Sequence, residues 1–189
     1  MKSYFLLSLI LLFACASQGS PGGGPIDNEG PFVVDYKISD SDKGKEIIIT
    51  FNEIINPSSV PNSVRLNGLS DFDLKIRYNK IILSSIIIEE DILELNISRT
   101  ISDYQGNIMD RPIVHFFSNG KEITQNSVSG NLIEVFDEKI YEVAIYQVQA
   151  DSAYFIKKIE ADIDGNFKFD NITNGKYRLA ALEGIINDF

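Results

Sequence analysis

Apolar and polar residues alternate with a period of two along most of the chain after residue 31. The segment from Phe32 to Ser39 is typical: its apolar residues Phe32, Val34, Tyr36 and Ile38 fall on one side. Such alternation predicts a β-strand with one face on a core. The pattern recurs at 47–51, 64–66, 72–78, 93–97 and 113–117. No segment shows a convincing helical period.

A longer apolar run, Ile81 to Ile88, is flanked by the charged residues Lys80 and Glu89-Glu90. Charged residues in such places protect an apolar strand from intermolecular pairing. The run is too short to cross a bilayer, so it predicts a core strand or hairpin. Turn-forming sequences separate the strands, among them Asn56-Pro57-Ser58 and Asp103-Tyr104-Gln105-Gly106-Asn107.

After the polar segment 118–125 the alternation starts again. It predicts strands at 128–136, 142–148, 153–161, 166–169 and 176–182. Asp164-Gly165 is expected to join two of them as a tight type I′ hairpin turn, and Asn174-Gly175 to do the same further on. The predicted fold is therefore all-β, with two tandem β-sandwiches.

The chain begins with a different pattern. Lys2 precedes an apolar run from Tyr4 to Phe13, which closes on the small residue Ala14 and then Cys15. A charged start, a short apolar core and a small residue at the break are typical of a secretory signal, whereas a spanning helix needs about 20 apolar residues. Residues 1–14 are predicted to be a signal peptide, with cleavage between Ala14 and Cys15.

The tetrad Leu12-Phe13-Ala14-Cys15 resembles the lipobox of bacterial lipoproteins, which implies that the Cys15 thiol is acylated. Two or three acyl chains, at about 0.8 kcal/mol per buried CH₂, would hold the protein at a membrane without spanning it. The alternative is an ordinary signal peptide cleaved nearby, which would leave a free exposed thiol. The expected location is the cell envelope at the outer membrane, with the membrane face left open.

Residues 15–29 are rich in Gly, Ser and Pro and have almost nothing to bury, so they predict a flexible tether. A coil of this length has a root-mean-square reach of about 20 Å. The formal charge is −10, with 17 basic and 27 acidic residues, which argues against a nucleic-acid partner. The single cysteine excludes an intrachain disulfide, and no cofactor is predicted.

The first sandwich is predicted over residues 30–118. Its segments Gly30-Pro31-Phe32-Val33-Val34, Ile47-Ile48-Ile49-Thr50-Phe51-Asn52-Glu53, the Asp103 to Asn107 turn and Phe116-Phe117-Ser118 resemble the Ig-like domain of bacterial surface-layer and cell-envelope proteins. The resemblance implies an Ig-like β-sandwich used as a spacer or structural module, and it brings no catalytic residues. Residues 119–126 are predicted to form a linker.

The second sandwich is predicted over residues 127–189. The stretch Asp162 to Phe169, with Ile172, Gly175, Tyr177 and Leu179, resembles the carboxypeptidase regulatory-like family. That resemblance implies a small prealbumin-like sandwich acting as a non-catalytic appendage. The family's sheet continues past the Tyr-x-Leu strand. Either residues 184–189 supply a minimal last strand, or the chain is a truncated form of a longer lipoprotein, and we expect this domain to be incomplete.

Residues Glu160, Asp162, Asp164 and Gly165 are spaced like the opening of a calcium loop. An EF-hand needs a bidentate Glu six residues after the glycine, and Asn171 stands there. Phe167 and Phe169 alternate as in a strand. A plain hairpin is therefore favoured, and no metal site is predicted.

His115 is the only histidine, so a serine-type triad would have to use it, but it lies within a predicted strand and is expected to be a surface or half-buried residue. Asp71 and Asp73 would lie about 7 Å apart on one strand face, within glycosidase separations. They alternate with Lys75 and Arg77 on a solvated face. We therefore predict no catalytic residues and no enzymatic activity.

The sequence as a whole predicts a non-catalytic, membrane-anchored envelope lipoprotein that acts as a structural, spacer or adhesion module. The alternative is a carbohydrate- or peptide-binding accessory lipoprotein. The lipid-bearing N-terminus makes the membrane the expected partner.

Overall fold

The computed structural model describes residues 24–184 except 68, 70, 88–90 and 119. The described chain is all-β, as predicted, and contains no α-helix. Its twelve strands are β1 Val33–Ser41, β2 Gly44–Phe51, β3 Val64–Asn67, β4 Asp73–Arg77, β5 Lys80–Ile86, β6 Ile92–Ile97, β7 Ile113–Ser118, β8 Ser127–Asn131, β9 Tyr141–Gln149, β10 Ser152–Glu160, β11 Asn166–Asp170 and β12 Tyr177–Glu183. A short 3-10 turn, Pro57–Ser59, forms where the Asn56-Pro57-Ser58 turn is predicted.

The first sandwich packs two antiparallel sheets face to face. Sheet I has the strand order β1-β2-β5-β4, and sheet II has the order β3-β6-β7. Sheet I contributes buried residues such as Ile49 and Leu83 to the core between them, and sheet II contributes residues such as Leu95. The predicted core strand at 81–88 is confirmed over the described part, because β5 lies between two other strands and buries Ile81, Leu83 and Ile86.

Strand β1 departs from the predicted orientation. Phe32, Val34 and Ile38 are exposed, although the alternation placed them on the core side with Tyr36. A bulge between Val33 and Asp35 shifts the register with β2, so Val33 and Tyr36 are the residues that pack on the core. An extra residue in one strand moves the side chains beyond it to the opposite face.

The second sandwich is smaller. Sheet III has the order β10-β9-β12, and sheet IV pairs β11 with β8. Val143 and Ile145 of β9 and Phe167 and Phe169 of β11 meet in its buried core. Gly130 of β8 leaves room for the Phe167 ring, because a Cβ on residue 130 would lie 2.6 Å from the ring.

Three sequence predictions about the second sandwich are wrong. The strand predicted at 128–136 ends at Asn131, and residues 132–140 form a loop. Asp164-Gly165 does not join paired strands, because β10 belongs to sheet III and β11 to sheet IV. Only Gly165 of the two has a positive φ, +82°, whereas a type I′ turn needs two.

The connection at Asn174-Gly175 is also not a hairpin. It links β11 of sheet IV to β12 of sheet III, and neither residue has a positive φ. Short crossings between the two sheets therefore occur where the glycine pairs suggested tight turns. The glycine pattern indicated a change of direction correctly but not which strands were partners.

Strand β12 ends the order of sheet III and leaves one of its edges uncovered among the described strands. Leu179 and Leu182 on this strand are 41% and 53% exposed. Tyr154 and Phe155 at the start of β10 are also exposed. Both edge strands of sheet III thus expose apolar side chains to solvent.

The described part of the predicted tether lies against the first sandwich. Residues 24–29 are exposed, but the carbonyl oxygen of Asp27 accepts a hydrogen bond of 3.1 Å from Asn107 Nδ2. A Cβ at Gly30 would lie 1.8 Å from the carbonyl oxygen of Ile108, so only glycine fits there. The sandwich therefore begins at Gly30 in close contact with the segment that precedes β7.

Candidate functional site at the junction of the sandwiches

Buried charged residues join the two sandwiches. The outer face of sheet II, which points away from the first core, carries Arg65 and Glu94, and Arg99 follows β6. Val114 of β7 also points outward and packs against the second core. The second sandwich covers this face with residues of β9 and β10, so the junction combines an apolar contact with a set of ion pairs.

Arg99 is the central residue of the junction and is only 2% exposed. Its Nη2 atom donates to the carbonyl oxygens of Asp137 and Lys139 in the second sandwich. Its Nε atom lies 3.8 Å from Glu160 Oε1, and its backbone N–H donates to the same oxygen at 3.2 Å. One side chain from the first sandwich is thus bound to three residues of the second.

Glu142 and Glu160 lie directly opposite each other on β9 and β10, and both are buried. Two like charges in such positions repel each other, so each needs its own partners. Glu142 pairs with Arg65 at 2.9 Å and with Lys158 at 3.4 Å. Arg65 belongs to the first sandwich, so this cluster also crosses the junction.

The protonation of Glu160 reflects these opposing influences. Burial raises the pKa of Glu160, because it penalises the charged form. The hydrogen bond of 2.6 Å from the Ser98 hydroxyl, the Arg99 backbone N–H and the Arg99 charge act in the opposite direction. The charge of Glu142 raises the pKa further, and the net shift is upward.

A second buried ion pair joins Lys157 of β10 to Glu94 of β6. The Nζ and Oε2 atoms are 2.7 Å apart, and both side chains are about one tenth exposed. Lys157 also donates to the carbonyl oxygen of Asp170 at 2.8 Å, and its Nζ lies 5.2 Å from the centre of the Phe116 ring. Cations favour the face of an aromatic ring, which adds to the pair.

Hydroxyl groups connect Glu160 to the loops of the first sandwich. Thr100 Oγ1 donates to Ser98 Oγ at 2.9 Å and also contacts Ser63 Oγ at 2.8 Å. Ser98 in turn donates to Glu160. These groups bond to one another, which fixes the side chains and is typical of a structural network.

An acidic cluster that sequence reasoning missed lies at the start of the first sandwich. Carboxylate oxygens of Asp27, Glu53 and Asp103 lie within 4.8 Å of one another. Burial alone would raise the pKa of Asp103, but hydrogen bonds from Asn107 and from the backbone of the turn outweigh it and lower the pKa. Burial and the neighbouring carboxylates raise the pKa of Glu53, against a hydrogen bond from Asn52.

His115 is half-buried in β7, as predicted. Its ring stacks on Tyr36 with 4.1 Å between ring centres, and Phe117 meets it edge-on at 4.7 Å. Burial lowers the pKa of His115 and raises that of Tyr36 to about 12. The imidazole therefore packs as a neutral ring at the edge of the first core.

The other carboxylates considered from sequence lie apart from the junction. Asp73 on β4 accepts a hydrogen bond of 2.6 Å from Ser85, and both it and Asp71 are exposed. Asp162 accepts the backbone N–H groups of Asp164 and Asn166, so this carboxylate stabilises its own turn. Ala14 and Cys15 lie outside the described residues.

Comparisons with known proteins give little further information. No protein-family model matches the chain, and no curated protein matches it. A solved structure with some similarity is native alpha-2-macroglobulin from Escherichia coli, spanning domains MG0-NIE-MG1, with a TM-score of 0.39 and 9% sequence identity. The match covers 84% of this chain and 67% of that chain. A likeness this low carries no argument, so the Ig-like and carboxypeptidase regulatory-like resemblances stay predictions.

The described residues include no helix with the length and apolar character that crossing a bilayer requires. Sequence reasoning did not find the junction, because its partners are far apart along the chain. Arg99 and Glu160 are separated by 61 residues.

Proposed function

We propose that the protein is a lipid-anchored envelope lipoprotein whose two sandwiches act together as one stiff, non-catalytic spacer. The observation that carries this proposal is the buried charge network between Arg99, Glu160, Arg65 and Glu142. Domains that move independently usually share a small and solvated interface. Here Arg99, Glu142 and Glu160 are buried, and Arg99 alone contacts Asp137, Lys139 and Glu160 of the second sandwich, so independent motion of the sandwiches would break these contacts.

The anchor rests on the sequence from Leu12 to Cys15. Acylated Cys15 would hold the chain at the membrane, and the glycine-rich segment behind it would separate the first sandwich from the lipid surface. A stiff body behind such an anchor fits a protein that holds a partner away from the membrane surface.

Stiffness can be measured by placing one spin label on each sandwich. Cys15 is the only cysteine, so a Cys15→Ser chain accepts new cysteines at Lys43 and Asp151, which lie in exposed turns. We expect pulsed electron resonance to give one narrow distance distribution. A broad distance distribution in this labelled chain, with no further substitution, would show that the sandwiches move independently and would refute the spacer.

Anchoring has a separate test in cells of the native host. A clickable fatty acid should label the full chain and should not label the Cys15→Ser variant, which should also leave the membrane fraction. Equal labelling of both chains, or no labelling of either, would contradict the anchor. This test does not depend on the stiffness measurement.

A further inference from the structure

A groove of about 650 Å³ opens beside the junction. It lies between the start of β7, at Arg111 to Val114, and the ribbon formed by β8 and β11. Ligand pockets in proteins have volumes of about 300–1,000 Å³ and combine an apolar floor with a few placed polar groups. The groove has both properties, and the spacer function proposed above makes no use of it.

The floor of the groove is apolar. It is formed by side chains from both sandwiches, namely Pro112, Val114, Ile159 and Phe167. Ile159 and Phe167 belong to the buried second core, and Val114 packs against it. Because the ion pairs of the junction hold the sandwiches together, the floor exists before any ligand binds.

One wall of the groove is a chain of polar side chains held in place by one another. Asn131 Nδ2 donates to Asn166 Oδ1 at 3.0 Å, and Asn166 Nδ2 donates to Asp162 Oδ2 at 3.1 Å. Asp162 is fixed in turn by two backbone N–H groups of its loop. Within the described chain, nothing donates to the amide oxygen of Asn131, so this wall keeps acceptor capacity for a ligand.

Arg111 and Ser129 supply donors to the same groove. Arg111 is exposed and has no ion pair or hydrogen bond among residues of the described ranges, and neither has the Ser129 hydroxyl. A guanidinium offers five N–H donors, and a hydroxyl can both donate and accept. Fixed acceptors and free donors therefore line one groove.

The charges in the groove nearly cancel. Arg111 and Lys168 are cationic, and Asp162, Asp170 and buried Glu160 are anionic. Lys168 already pairs with Asp170 at 2.7 Å. A polyanion such as a nucleotide would meet carboxylates, and a polycation would meet Arg111, so the groove suits a neutral ligand that both donates and accepts hydrogen bonds.

From this combination we propose that the groove binds a neutral oligosaccharide. Sugar hydroxyls donate to the Asn131 and Asp162 oxygens and accept from Arg111, while the C–H face of a sugar ring packs on the partly exposed Pro112 and Val114. An extended peptide would instead pair with the backbone edge of β8 or β11 and would not use the Asn131 amide oxygen or the Arg111 guanidinium, so the variants below distinguish the two ligands. This inference rests on the two sandwiches being held together, as the spacer function also requires, but sugar binding and the spin-label distances are measured separately and can fail separately.

The test uses the full chain with Cys15→Ser and a panel of neutral oligosaccharides of glucose, xylose, mannose and N-acetylglucosamine. Titrations are followed by two-dimensional amide NMR and by calorimetry. We expect one member to give saturable shifts centred on Ser129, Asn131 and Asn166. Arg111→Ala should weaken its binding at least 10-fold, and Ser129→Trp, which fills the groove, should abolish it.

Arg178→Ala is the matched control, because Arg178 is an exposed arginine on β12 outside the groove. It should bind the sugar as the unmodified chain does. Thermal melting checks that each variant is folded, and the exposed position of Arg111 keeps Arg111→Ala informative if Ser129→Trp does not fold. The proposal is overturned if no sugar of the panel binds, if binding is unchanged in Arg111→Ala, or if an extended-peptide library shifts the groove amides and the sugars do not.

Discussion

Arg99 and Glu160 form a buried pair between two sandwiches, with Arg99 Nε 3.8 Å from Glu160 Oε1 and the Arg99 backbone N–H donating to the same oxygen. Arg99 thus binds Glu160 through both its side chain and its backbone. The backbone hydrogen bond does not depend on the conformation of the Arg99 side chain. Two carbonyl oxygens of the 137–139 loop hold the far end of the guanidinium. The Arg99 side chain therefore contacts the second sandwich through both its Nε atom and its Nη2 atom.

Removing this side chain should be costly. Arg99→Ala leaves Glu160 buried without its cation, which typically costs about 3–5 kcal/mol. Urea unfolding of the Cys15→Ser chain measures the loss, and the spin-label distance between the sandwiches should broaden at the same time. Lys45→Ala is the control, because Lys45 pairs with Asp40 at the surface and should cost less than about 1 kcal/mol. Equal effects of the two variants would contradict a role for Arg99 in the junction.

The pair between Lys157 and Glu94 should show strong energetic coupling. A double-mutant cycle with Lys157→Met and Glu94→Gln should give an interaction energy of about 1–3 kcal/mol, because both groups are buried. The same cycle on Lys121 and Asp91, which are 3.6 Å apart and exposed, should give about 0.5 kcal/mol or less. A coupling as small as that of the exposed pair would mean that Lys157 is stabilised by Phe116 and Asp170 alone.

His115 should make the stability depend on pH. Its pKa in the folded chain is lowered by burial, so as the pH falls through about 6.5 the unfolded chain binds a proton before the folded chain does. The free energy of unfolding should therefore decrease as the pH is lowered from 7.5 to 5.5. Tyr36 and Phe117, the rings that contact His115, are uncharged in this range.

His115→Phe keeps a ring against Tyr36 and removes the titrating group, so this variant should lose less stability over the same pH interval. The raised pKa of Glu160 acts in the opposite direction, but it is common to both chains and cancels in the comparison. Identical pH profiles for the two chains would show that the His115 pKa is the same in the folded and unfolded states.

Gly165 should tolerate alanine poorly. Its φ is +82°, and a Cβ would lie 2.4 Å from the carbonyl oxygen of Leu132. Gly165→Ala should thus combine backbone strain with a steric clash and cost on the order of 3 kcal/mol. Gly106 has a similar φ of +94° but open space around it, so Gly106→Ala should show the strain alone, at about 1 kcal/mol. Thermal or urea unfolding compares the two, and equal costs would exclude the clash.

Strands with strong alternation were predicted well because central strands bury one complete set of side chains. Ile47, Ile49 and Phe51 of β2 are fully buried, as the pattern indicated. The prediction for β1 was wrong at Phe32 and Val34, because a bulge at this point puts Val33 on the core, whereas Tyr36 packs on the core as predicted; alternation carries no information about bulges. The sequence predicts a strand here but not which of its sides is covered.

The glycine pairs of the second sandwich show a different limit. Asp164-Gly165 has the composition of a hairpin turn, but among the described strands β10 pairs with β9 alone, and β11 pairs with β8. The choice of partner is decided by packing of Phe167 and Phe169 in the second core, and local sequence does not record it. The junction and the groove share this origin, because each brings together residues from distant segments.

The position of Arg99 also has a consequence for the order in which the chain folds. All of its partners in the second sandwich lie between residues 137 and 160, so during synthesis they follow the whole of the first sandwich along the chain. Until then Arg99 stays hydrated, and the first sandwich must be stable without it. Docking of the second sandwich is therefore the step that removes water from the guanidinium, and it can occur only after the second sandwich has been synthesised.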